Sequence, residues 1–435
     1  MKIKWPTLGE MLKLMRAYKG RDYSQTRLAN DVHVSRGIIS KYETNDISCP
    51  LDTLMETKRA TGTEYLPTCE SERIEYEKLL DRLLNLIIEG DLEEAEILCK
   101  KLSVVKAFPF LQDLNILFSQ HECRLFLALK QLDKAKIILD EYEKCTDKLD
   151  GIQKYHYYYN KGKYNMRSGS FSDAVECFHD ALALKLNMLD KNITIYDNIA
   201  YCCDYLGFVS YAIDYLEEGL KLYPTGQNKT SMFWVYNLLG NSYTTVSVLN
   251  RSKEMNDKSY EIAKEKHDGN NDEESKSLLG LVNIAYARMY QKDKQYRLSI
   301  EYSDKAIDLI PEGSIDHLEA IYHKTRCHIE IKDISPCAAL ISKGLKLSKN
   351  HKHYNLMFEA LKILANLDEE SAKYLEEKII PRLLEMNCFH PVLDYAVVLR
   401  DYYRTRHAGY ISRALRMSEL ALSIYEKFHM KGVIS

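Results

Sequence analysis

Apolar residues in the first sixty positions recur at intervals of three and four, which is the spacing of helices that each bury one face. They form four groups: Leu8, Leu12 and Met15; Leu28, Ala29 and Val32; Ile39 and Tyr42; and Leu51, Leu54 and Met55. The segments GRDYS, VHV and NDISCP separate these groups. Ser24 and Ser35 each precede a group and are expected to cap the helix that follows. The pattern predicts at least four short helices.

From about Glu70 onward whole segments of the sequence repeat. NKGKYNMRSGSFSDAVECFHDALAL aligns with NIAYCCDYLGFVSYAIDYLEEGLKLYP at an offset of 38 residues. The matched positions are Gly162/Ala200, Gly169/Gly207, Phe171/Val209, Ala174/Ala212, Phe178/Leu216 and Ala181/Gly219. The same pattern recurs before and after this pair, which gives about nine units, and the unit containing Ile363, Ala372 and Leu375 matches weakly.

Small residues in each unit indicate a pair of antiparallel helices. Two helices can approach closely only where a side chain is nearly absent, so Gly162 and Ala174 are expected to form a contact into which Phe178 packs. Pro224 and Pro311 are expected to end a second helix. The stretch HDGNNDEES is expected to form a longer exposed loop between two units.

Charge is distributed unevenly along the chain. Residues 1–66 hold eleven Lys and Arg against eight Asp and Glu, a net charge of +3, whereas the rest of the chain carries −6. A polyanion is therefore expected to bind the first segment. No run approaches the roughly 18 to 20 apolar residues of a membrane span, so the protein is predicted to be soluble and cytoplasmic, with no membrane partner.

Cysteine and histidine usage argues against a disulfide scaffold or a metal centre. The eleven cysteines are scattered through apolar helical patterns and are expected to be reduced core thiols. The nearest approach to a metal cluster is the set His323, Cys327, His328 and Cys337, which lacks a CxxC or HExxH spacing. We predict no metal and no cofactor. No nucleophile, phosphate loop or metal pair appears at a recognisable spacing, so the chain is predicted not to be an enzyme.

From about Thr7 to Thr63 the sequence resembles the lambda-repressor-like (Xre-type) helix-turn-helix domain, through LGEMLKLMR, SQTRLA and VSRGIISKYE in that order and spacing. The resemblance implies that SRGIISKYE enters the major groove of a double-stranded DNA operator and that Gln25 meets a phosphate. The implied DNA-binding residues are Gln25, Ser35, Arg36, Gly37, Ser40 and Lys41. A cap on a helical array is the alternative, but a cap needs no exposed arginine and lysine on its third helix.

Two residues depart from that family. Asn45 stands where glycine is common after the recognition helix, and asparagine tolerates the left-handed conformation that the turn requires. Gly37 occupies a position that often reads a base, has no side chain, and costs the helix up to roughly 1 kcal/mol relative to alanine. Recognition of the base sequence is therefore expected to depend on Arg36 and Lys41, or on the backbone at Gly37 lying close to DNA.

The repeated units resemble tetratricopeptide repeats, with a spacing of 38 to 40 rather than the usual 34. Stacked hairpins of this kind form a superhelix with a concave face, and the resemblance implies that asparagines on that face clamp a peptide backbone. The expected peptide-binding residues are the asparagines near the small position and the cations that directly follow it: Asn160, Asn198, Asn237, Asn241, Lys163, Arg288 and Arg326. The cations are expected to meet a carboxylate.

The whole chain is similar to the RRNPP group of peptide-responsive quorum-sensing regulators, and most similar to its neutral-protease branch. The implied fold is all-α: a helix-turn-helix DNA-binding domain over residues 1–66 and, over residues 67–435, a right-handed superhelix of about nine tetratricopeptide-like hairpins that binds a short signalling peptide. A homodimer is expected, because one small domain buries too little surface to select a site. The alternative is an interaction scaffold that sequesters a signalling partner such as a response regulator.

Overall fold

The computed structural model describes residues 5–184, 194–222, 229–270, 272–406 and 408–430, and there is no strand among them. The chain forms two compact units, Met1–Leu186 and Asn187–Ser435. None of the helices within the described ranges combines the length and the apolar character that crossing a membrane requires. The expectation of an all-α fold is confirmed for this part of the chain.

The first unit begins with four short helices, followed by three helical hairpins. Its helices are α1 (Leu8–Tyr18), α2 (Gln25–Asp31), α3 (Arg36–Glu43), α4 (Leu51–Thr61), α5 (Glu70–Glu89), α6 (Leu92–Leu102), α7 (Gln112–Ala128), α8 (Leu132–Glu143), α9 (Gly151–Ser168) and α10 (Phe171–Ala183). The predicted apolar positions Met15, Leu28 and Ile39 are fully buried in a core that extends from α1 to α7. The predicted boundary at residue 66 lies between α4 and α5, and the independence of the two segments stays a prediction.

The second unit consists of six hairpins. Its helices are α11 (Thr194–Tyr205), α12 (Val209–Leu222), α13 (Lys229–Thr245), α14 (Leu249–Asn270), α15 (Glu273–Lys292), α16 (Tyr296–Leu309), α17 (Ile315–Glu330), α18 (Cys337–Leu347), α19 (Lys352–Ala365), α20 (Glu369–Tyr374), α21 (Ile380–Glu385), α22 (Phe389–Arg404) and α23 (Ile411–His429). With the three hairpins of the first unit, the described residues contain the predicted nine. Pro311 follows α16 as expected, whereas Pro224 lies outside the described residues.

The close helix contact predicted at Gly162 is present. A Cβ atom added at Gly162 would lie 2.6 Å from the ring of Phe178, and Ala174 is fully buried beside it. Any larger residue at position 162 would therefore displace the phenylalanine. The repeat pattern thus reflects the packing of the first helix of each pair against the second.

The turn within the hairpins keeps one conformation even where its glycine is missing. Gly169 and Gly207 have positive φ angles, and Lys130, Ser247, Lys294 and Lys332 adopt the same left-handed conformation at equivalent positions. In each turn the next amide reaches back five residues, for example from Gln131 to the carbonyl of Phe126 at 2.8 Å. This Schellman motif satisfies orphan carbonyls at the helix end, which compensates for the strain at a non-glycine residue.

The prediction of a loop at HDGNNDEES is wrong. Residues His267 to Asn270 continue α14, and α15 starts at Glu273 after its N-cap Asp272. The extra residues therefore lengthen two helices instead of a loop. Lys266 forms an ion pair with Glu274 at 2.7 Å across the extended part of this hairpin.

The weakly matching unit contains an interruption of its second helix. Residues 375–379 form a π-helical turn between α20 and α21, in which the amide of Ile380 bonds to the carbonyl of Leu375. Pro381 lacks the amide hydrogen that an α-helix would direct to Glu377, and the wider turn accommodates it. The extra residue in this turn shifts the small and apolar positions, which explains why the sequence match is weak.

Candidate functional site

The first four helices present α3 on their surface. Ser24 Oγ accepts from the amide of Arg27 at 3.2 Å, and Ser35 Oγ accepts from the amide of Ile38 at 3.3 Å, so both predicted N-caps are confirmed. The inward side of α3 is anchored by Ile39, which is fully buried. The helix is therefore fixed at its start and along its core side, and its opposite side is turned outward.

The outward side of α3 is formed by Arg36, Gly37, Ser40 and Lys41, which we call the α3 face. Ser40 is half-buried and the other three are exposed. Neither Arg36 nor Lys41 forms an ion pair with another described residue. A Cβ at Gly37 would meet no atom within 4 Å, so this part of α3 is open to a close approach by another molecule. Ser35 is exposed beside the face as the N-cap.

Gln25 has a partner within the protein. Its Nε2 donates to Glu43 Oε2 at 2.8 Å, and Glu43 also accepts from Arg16 at 2.6 and 3.0 Å. These three residues join α1, α2 and α3, and Glu43 is almost completely buried. The sequence pattern did not reveal this network, because the residues are up to 27 positions apart. The phosphate contact of Gln25 stays a prediction, and its side chain would have to leave Glu43 to make it.

The turn after α3 has the conformation expected from the sequence. Asn45 has a φ angle of 56°, in the left-handed region, and its Oδ1 accepts from Thr7 Oγ1 at 2.7 Å. Nearby, a Cβ at Gly9 would lie 1.9 Å from the carbonyl oxygen of Tyr42. Gly9 thus allows α1 to cross the end of α3 closely, a role that sequence reasoning missed.

In the first unit Asn160 is a buried structural residue. Its Nδ2 donates to the carbonyl of Gln120 at 2.7 Å, and its Oδ1 accepts from Arg124 Nε at 3.2 Å, so it joins α7 to α9. It is fully buried, whereas Lys163, one turn further along α9, is half-buried. A peptide could reach Asn160 only after these side chains moved.

Two histidines that sequence reasoning missed lie on the same two helices, α7 and α9. The rings of His121 and His156 meet edge to face at 5.0 Å, and both are buried. Burial, together with the charge of Arg124, lowers the pKa of His121 to about 3, and burial likewise lowers that of His156. Both imidazoles are therefore neutral at physiological pH. The Nδ1 atoms of both rings lack a partner among the described residues.

The asparagines predicted in the second unit come together on α13. Asn241 Nδ2 lies 3.4 Å from Asn237 Oδ1, one helical turn away, and Asn237 is only 8% exposed. Asn237 Nδ2 and Asn241 Oδ1 have no partner among the described residues. The pair therefore keeps one donor and one acceptor free, which is what a peptide unit requires. Asn198 on α11 is also buried.

The predicted cations Arg288 and Arg326 are paired with carboxylates of the chain itself. Arg288 lies 3.7 Å from Glu319, and Arg326, which is 5% exposed, lies 2.6 Å from Glu330. His323 and Tyr354 also approach Glu319, at 3.5 and 3.4 Å. Arg288 and Arg326 therefore do not form the free positive surface that the sequence predicted. A carboxylate ligand would compete with Glu319 and Glu330.

Arg288 influences the pKa of several neighbouring groups. Burial alone would raise the pKa of Glu319, but the hydrogen bond from His323 and the charge of Arg288 lower it to about 2. Burial lowers the pKa of His390 to about 3, and Arg288 and Lys292 act in the same direction. Burial raises the pKa of Asp204 although Arg288 opposes the shift. We call the set Asp204, Asn237, Asn241, Arg288, Glu319, His323, Arg326 and His390 the polar interior.

The residues considered for a metal have other partners. Cys327 lies 3.1 Å from Ser299 Oγ, His323 lies 2.6 Å from Gln291, and His328 lies 3.0 Å from Asp333. Within the described ranges no three histidine, cysteine or acidic side chains gather as a metal site would require. The eleven cysteines form no disulfide in the structure, and eight of them are buried.

Comparison with known proteins supplies relatives at low sequence identity. No family model matches the sequence. The transcriptional activator NprA of Geobacillus stearothermophilus is 21% identical over 306 residues, which cover 67% of this chain and 73% of NprA. This relation extends over most of both chains.

Solved structures show the same fold. The apo form of the quorum sensor NprR from B. thuringiensis is 17% identical, covers 80% of this chain and 98% of its own, and superposes with a TM-score of 0.64. NprR in complex with its cognate peptide NprX gives a TM-score of 0.60 at 17% identity, over 79% and 98% of the chains. A Rap protein complexed with Competence and Sporulation Factor gives 0.67 at 15% identity, over 81% and 98%.

Proposed function

Because the chain is of the RRNPP type in sequence and fold, we propose that it is a cytoplasmic transcriptional regulator controlled by a short signalling peptide. The α3 face binds a DNA operator and the repeats bind the peptide. The observation that carries the proposal is the presence, in one chain, of two exposed cations without ion pairs on α3 and of an asparagine pair with free hydrogen-bonding groups on α13.

DNA binding is assigned to Ser35, Arg36, Gly37, Ser40 and Lys41, with Gln25 at the start of α2. Arg36 and Lys41 are suited to phosphates and to guanine edges, and the open backbone at Gly37 permits close contact with the groove. A dimer places two α3 faces on two half-sites, which supplies the contact area that a single helix-turn-helix domain lacks. Double-stranded DNA, a signalling peptide and a second copy of the chain are therefore the partners in this proposal.

Peptide binding is assigned to the residues that the first helices of the hairpins carry: Asn160, Lys163, Asn198, Asn237, Asn241, Arg288 and Arg326. The NprR complex with NprX supports a peptide as the ligand class, because the two chains share the fold. A peptide that favours one arrangement of the repeats by about 1 to 3 kcal/mol would change operator affinity by roughly 5- to 150-fold. This range is sufficient for a transcriptional switch.

Two measurements test the proposal. Mass spectrometry of small molecules that co-purify with the protein, followed by calorimetry with any peptide found, tests the ligand. Replacement of Arg36 and Lys41 by alanine tests the DNA surface, because binding to a DNA duplex selected by the wild-type protein should be lost while peptide binding persists. Duplex binding that survives both replacements would contradict the assignment of the α3 face.

The alternative function is an interaction scaffold that sequesters a signalling partner. One observation favours it: α23 exposes a row of large apolar side chains, Ile411, Leu415, Leu422 and Tyr425, at the spacing of one helix face. A scaffold would bind its partner equally well with and without Arg36 and Lys41. NprA is a transcriptional activator and NprR is a quorum sensor, and absence of catalysis in this chain stays a prediction.

A further inference from the structure

The second unit closes on itself between its first and last hairpins. Ser210 Oγ, at the start of α12, donates to the carbonyl of Phe428 near the end of α23 at 3.0 Å. Tyr205 Oη lies 3.5 Å from the carbonyl of Met386. A Cβ at Gly207 would lie 3.0 Å from the ring of Phe389. We call this set of interactions the closing contact.

Lys427 lies at the centre of the closing contact. Its Nζ is 4.0 Å from the ring centroid of Phe389 and 5.0 Å from that of Phe208, so one ammonium group contacts an aromatic ring from each hairpin. A Cβ added at Gly207 would lie 3.3 Å from two methylene carbons of Lys427. A cation between two rings attracts both, and the attraction is larger where water is partly excluded. Lys427 therefore holds the two hairpins together.

The closing contact lies beside residues of the second unit that the proposed function assigns to the peptide. Asn237 is 8% exposed and Arg326 is 5% exposed. His390, next to the closing contact on α22, lies 3.4 Å from Thr245 on α13. Since a peptide cannot pair with side chains as deeply covered as Asn237 and Arg326, this part of the polar interior must become accessible before a peptide can bind to it.

We propose that the closing contact is a latch: it holds the polar interior shut, and peptide binding requires its opening. This inference rests on the proposed function, and it adds the step that controls access to the same site. If only a fraction of molecules is open, the apparent dissociation constant equals the intrinsic constant divided by that fraction. Weakening the latch therefore tightens peptide binding, which is the opposite of what loss of a ligand-contacting residue does.

The latch can be weakened at two places that do not belong to the polar interior. Lys427→Ala removes the cation between Phe208 and Phe389, and Ser210→Ala removes a single hydroxyl from the other side of the contact. The matched control is Lys305→Ala, which removes a lysine lying 4.5 Å from the ring centroid of Tyr302 within α16 of the same unit. The control changes charge and a cation–aromatic contact equally but leaves the closing contact intact.

Cys388 reports opening in the natural chain. Burial raises the pKa of its thiol to about 11, and it lies beside Tyr205 in the closing contact. Labelling with a thiol reagent, located by mass spectrometry, should become about 10-fold faster in Lys427→Ala and less so in Ser210→Ala. Cys145 in the first unit, which is partly exposed, is the internal reference and should keep its rate.

A fluorescein-labelled pool of random heptapeptides without cysteine serves as the ligand probe. If the latch controls access, the apparent affinity for this pool rises in Lys427→Ala and Ser210→Ala by the same factor as the labelling rate of Cys388, and Lys305→Ala matches the wild type in both measurements. Faster labelling together with a measurable pool affinity that does not change from the wild type overturns the latch. Unchanged labelling in both variants overturns it as well.

Failure of the proposed function has a separate signature. In that case Cys388 labelling accelerates as expected, yet neither the wild type nor any variant binds the pool at any concentration. Circular dichroism of each variant establishes that it remains folded, so a loss of pool binding in a folded Lys427→Ala would also count against the latch.

Discussion

The α3 face and the polar interior both contain arginines and other polar groups, yet their surroundings differ. Arg36 and Lys41 project into solvent from a short helix, whereas Arg288 and Arg326 are paired with Glu319 and Glu330. An exposed cation retains its hydration and can exchange it for a phosphate at small cost. A buried cation requires a counter-charge from the protein, because its isolated charge would be strongly destabilised.

The difference separates a surface that is ready to bind from one that must first rearrange. In the proposed function, DNA would meet the α3 face without a change in its exposed side chains, and the placement of two such faces in a dimer would be the controlled step. In the same proposal, a peptide would meet arginines that are already paired with carboxylates, so it would compete with these internal partners. The same residue type thus indicates a binding surface in one region and structural pairing in the other, and exposure distinguishes the two.

The largest expected effect is on DNA binding. Replacing Arg36 and Lys41 together by alanine should lower affinity for a selected duplex by about 30- to 1000-fold, because each contact is worth roughly 1 to 2 kcal/mol. The slope of log K against log salt should fall by about 1 to 2 if both residues meet phosphates. Fluorescence anisotropy over a range of salt concentrations measures both.

The control for that experiment is Lys100→Ala combined with Lys101→Ala. These exposed lysines on α6 give the same change in net charge away from α3. An equal loss of affinity in the control would mean that overall charge, and not the α3 face, governs DNA binding. Thermal unfolding of both double variants should match the wild type, since exposed residues contribute little to stability.

The second effect is a pH dependence of the protein's stability, which arises from Glu319 in the polar interior. The pKa of Glu319 is lowered to about 2 in the folded state, so this carboxylate stabilises the fold above the unfolded pKa of about 4.3. The stabilisation is lost as pH falls through the window from about 4.5 to 2. Glu319→Gln should therefore be less stable than the wild type at pH 6, and the difference should shrink as pH approaches 3.

Chemical denaturation at several pH values measures that difference. The matched control is Glu301→Gln, which removes an exposed carboxylate paired with Lys305 on α16. Its stability relative to the wild type should change little over the same range, because exposed pairs contribute only about 0 to 1 kcal/mol. A constant deficit of Glu319→Gln from pH 6 to pH 3 would contradict the charged role of Glu319.

The third effect compares two fully buried asparagines. Asn160 has hydrogen-bond partners on α7, whereas both polar atoms of Asn256, packed against Gly240, lack one among the described residues. Asn160→Leu should destabilise the protein by about 1 to 3 kcal/mol, since it strands the groups that it served. Asn256→Leu should be neutral or stabilising by about 1 kcal/mol, because it removes two unpaired groups. Thermal unfolding measures the stability of the two variants, and an equal loss of stability in both would contradict the distinction between the two asparagines.

The smallest expected effect concerns recognition of a thymine by Ile38, beside the α3 face. Ile38 is 36% exposed on the first turn of α3, and an exposed β-branched side chain there is suited to the methyl group of thymine. Replacing a contacted thymine by uracil should weaken wild-type binding about fourfold, the value of one methyl group. Ile38→Ala should be insensitive to that replacement. Equal sensitivity of both proteins would exclude Ile38 as the reader.

Local features of the fold were predictable from the sequence. Ser24 and Ser35 cap their helices, Asn45 takes the left-handed turn, and Gly162 meets Phe178. These features depend on residues a few positions apart or on a repeated packing position. The nine hairpins follow from the same periodicity, because each repeat buries one apolar face against its neighbour.

Long-range features were not predictable. The pairing of Arg288 with Glu319 and the network of Arg16, Gln25 and Glu43 join helices whose contacts the periodicity does not specify. HDGNNDEES was predicted as a loop from its composition, but His267 to Asn270 continue α14 and α15 starts at Glu273. Pro381 signals an irregular helix, although it does not reveal the π-helical turn that results.

The hydrogen bond from Ser210 to Phe428 joins residues 218 positions apart. In an open array of repeats, each hairpin contacts only its neighbours, so the terminal hairpins can fray while the middle persists. Here α23 lies against α12 as well as α22. Denaturation of the second unit should consequently proceed as one cooperative event with no stepwise loss of repeats from its carboxyl end, and removal of α22 and α23 would loosen α11 and α12 too.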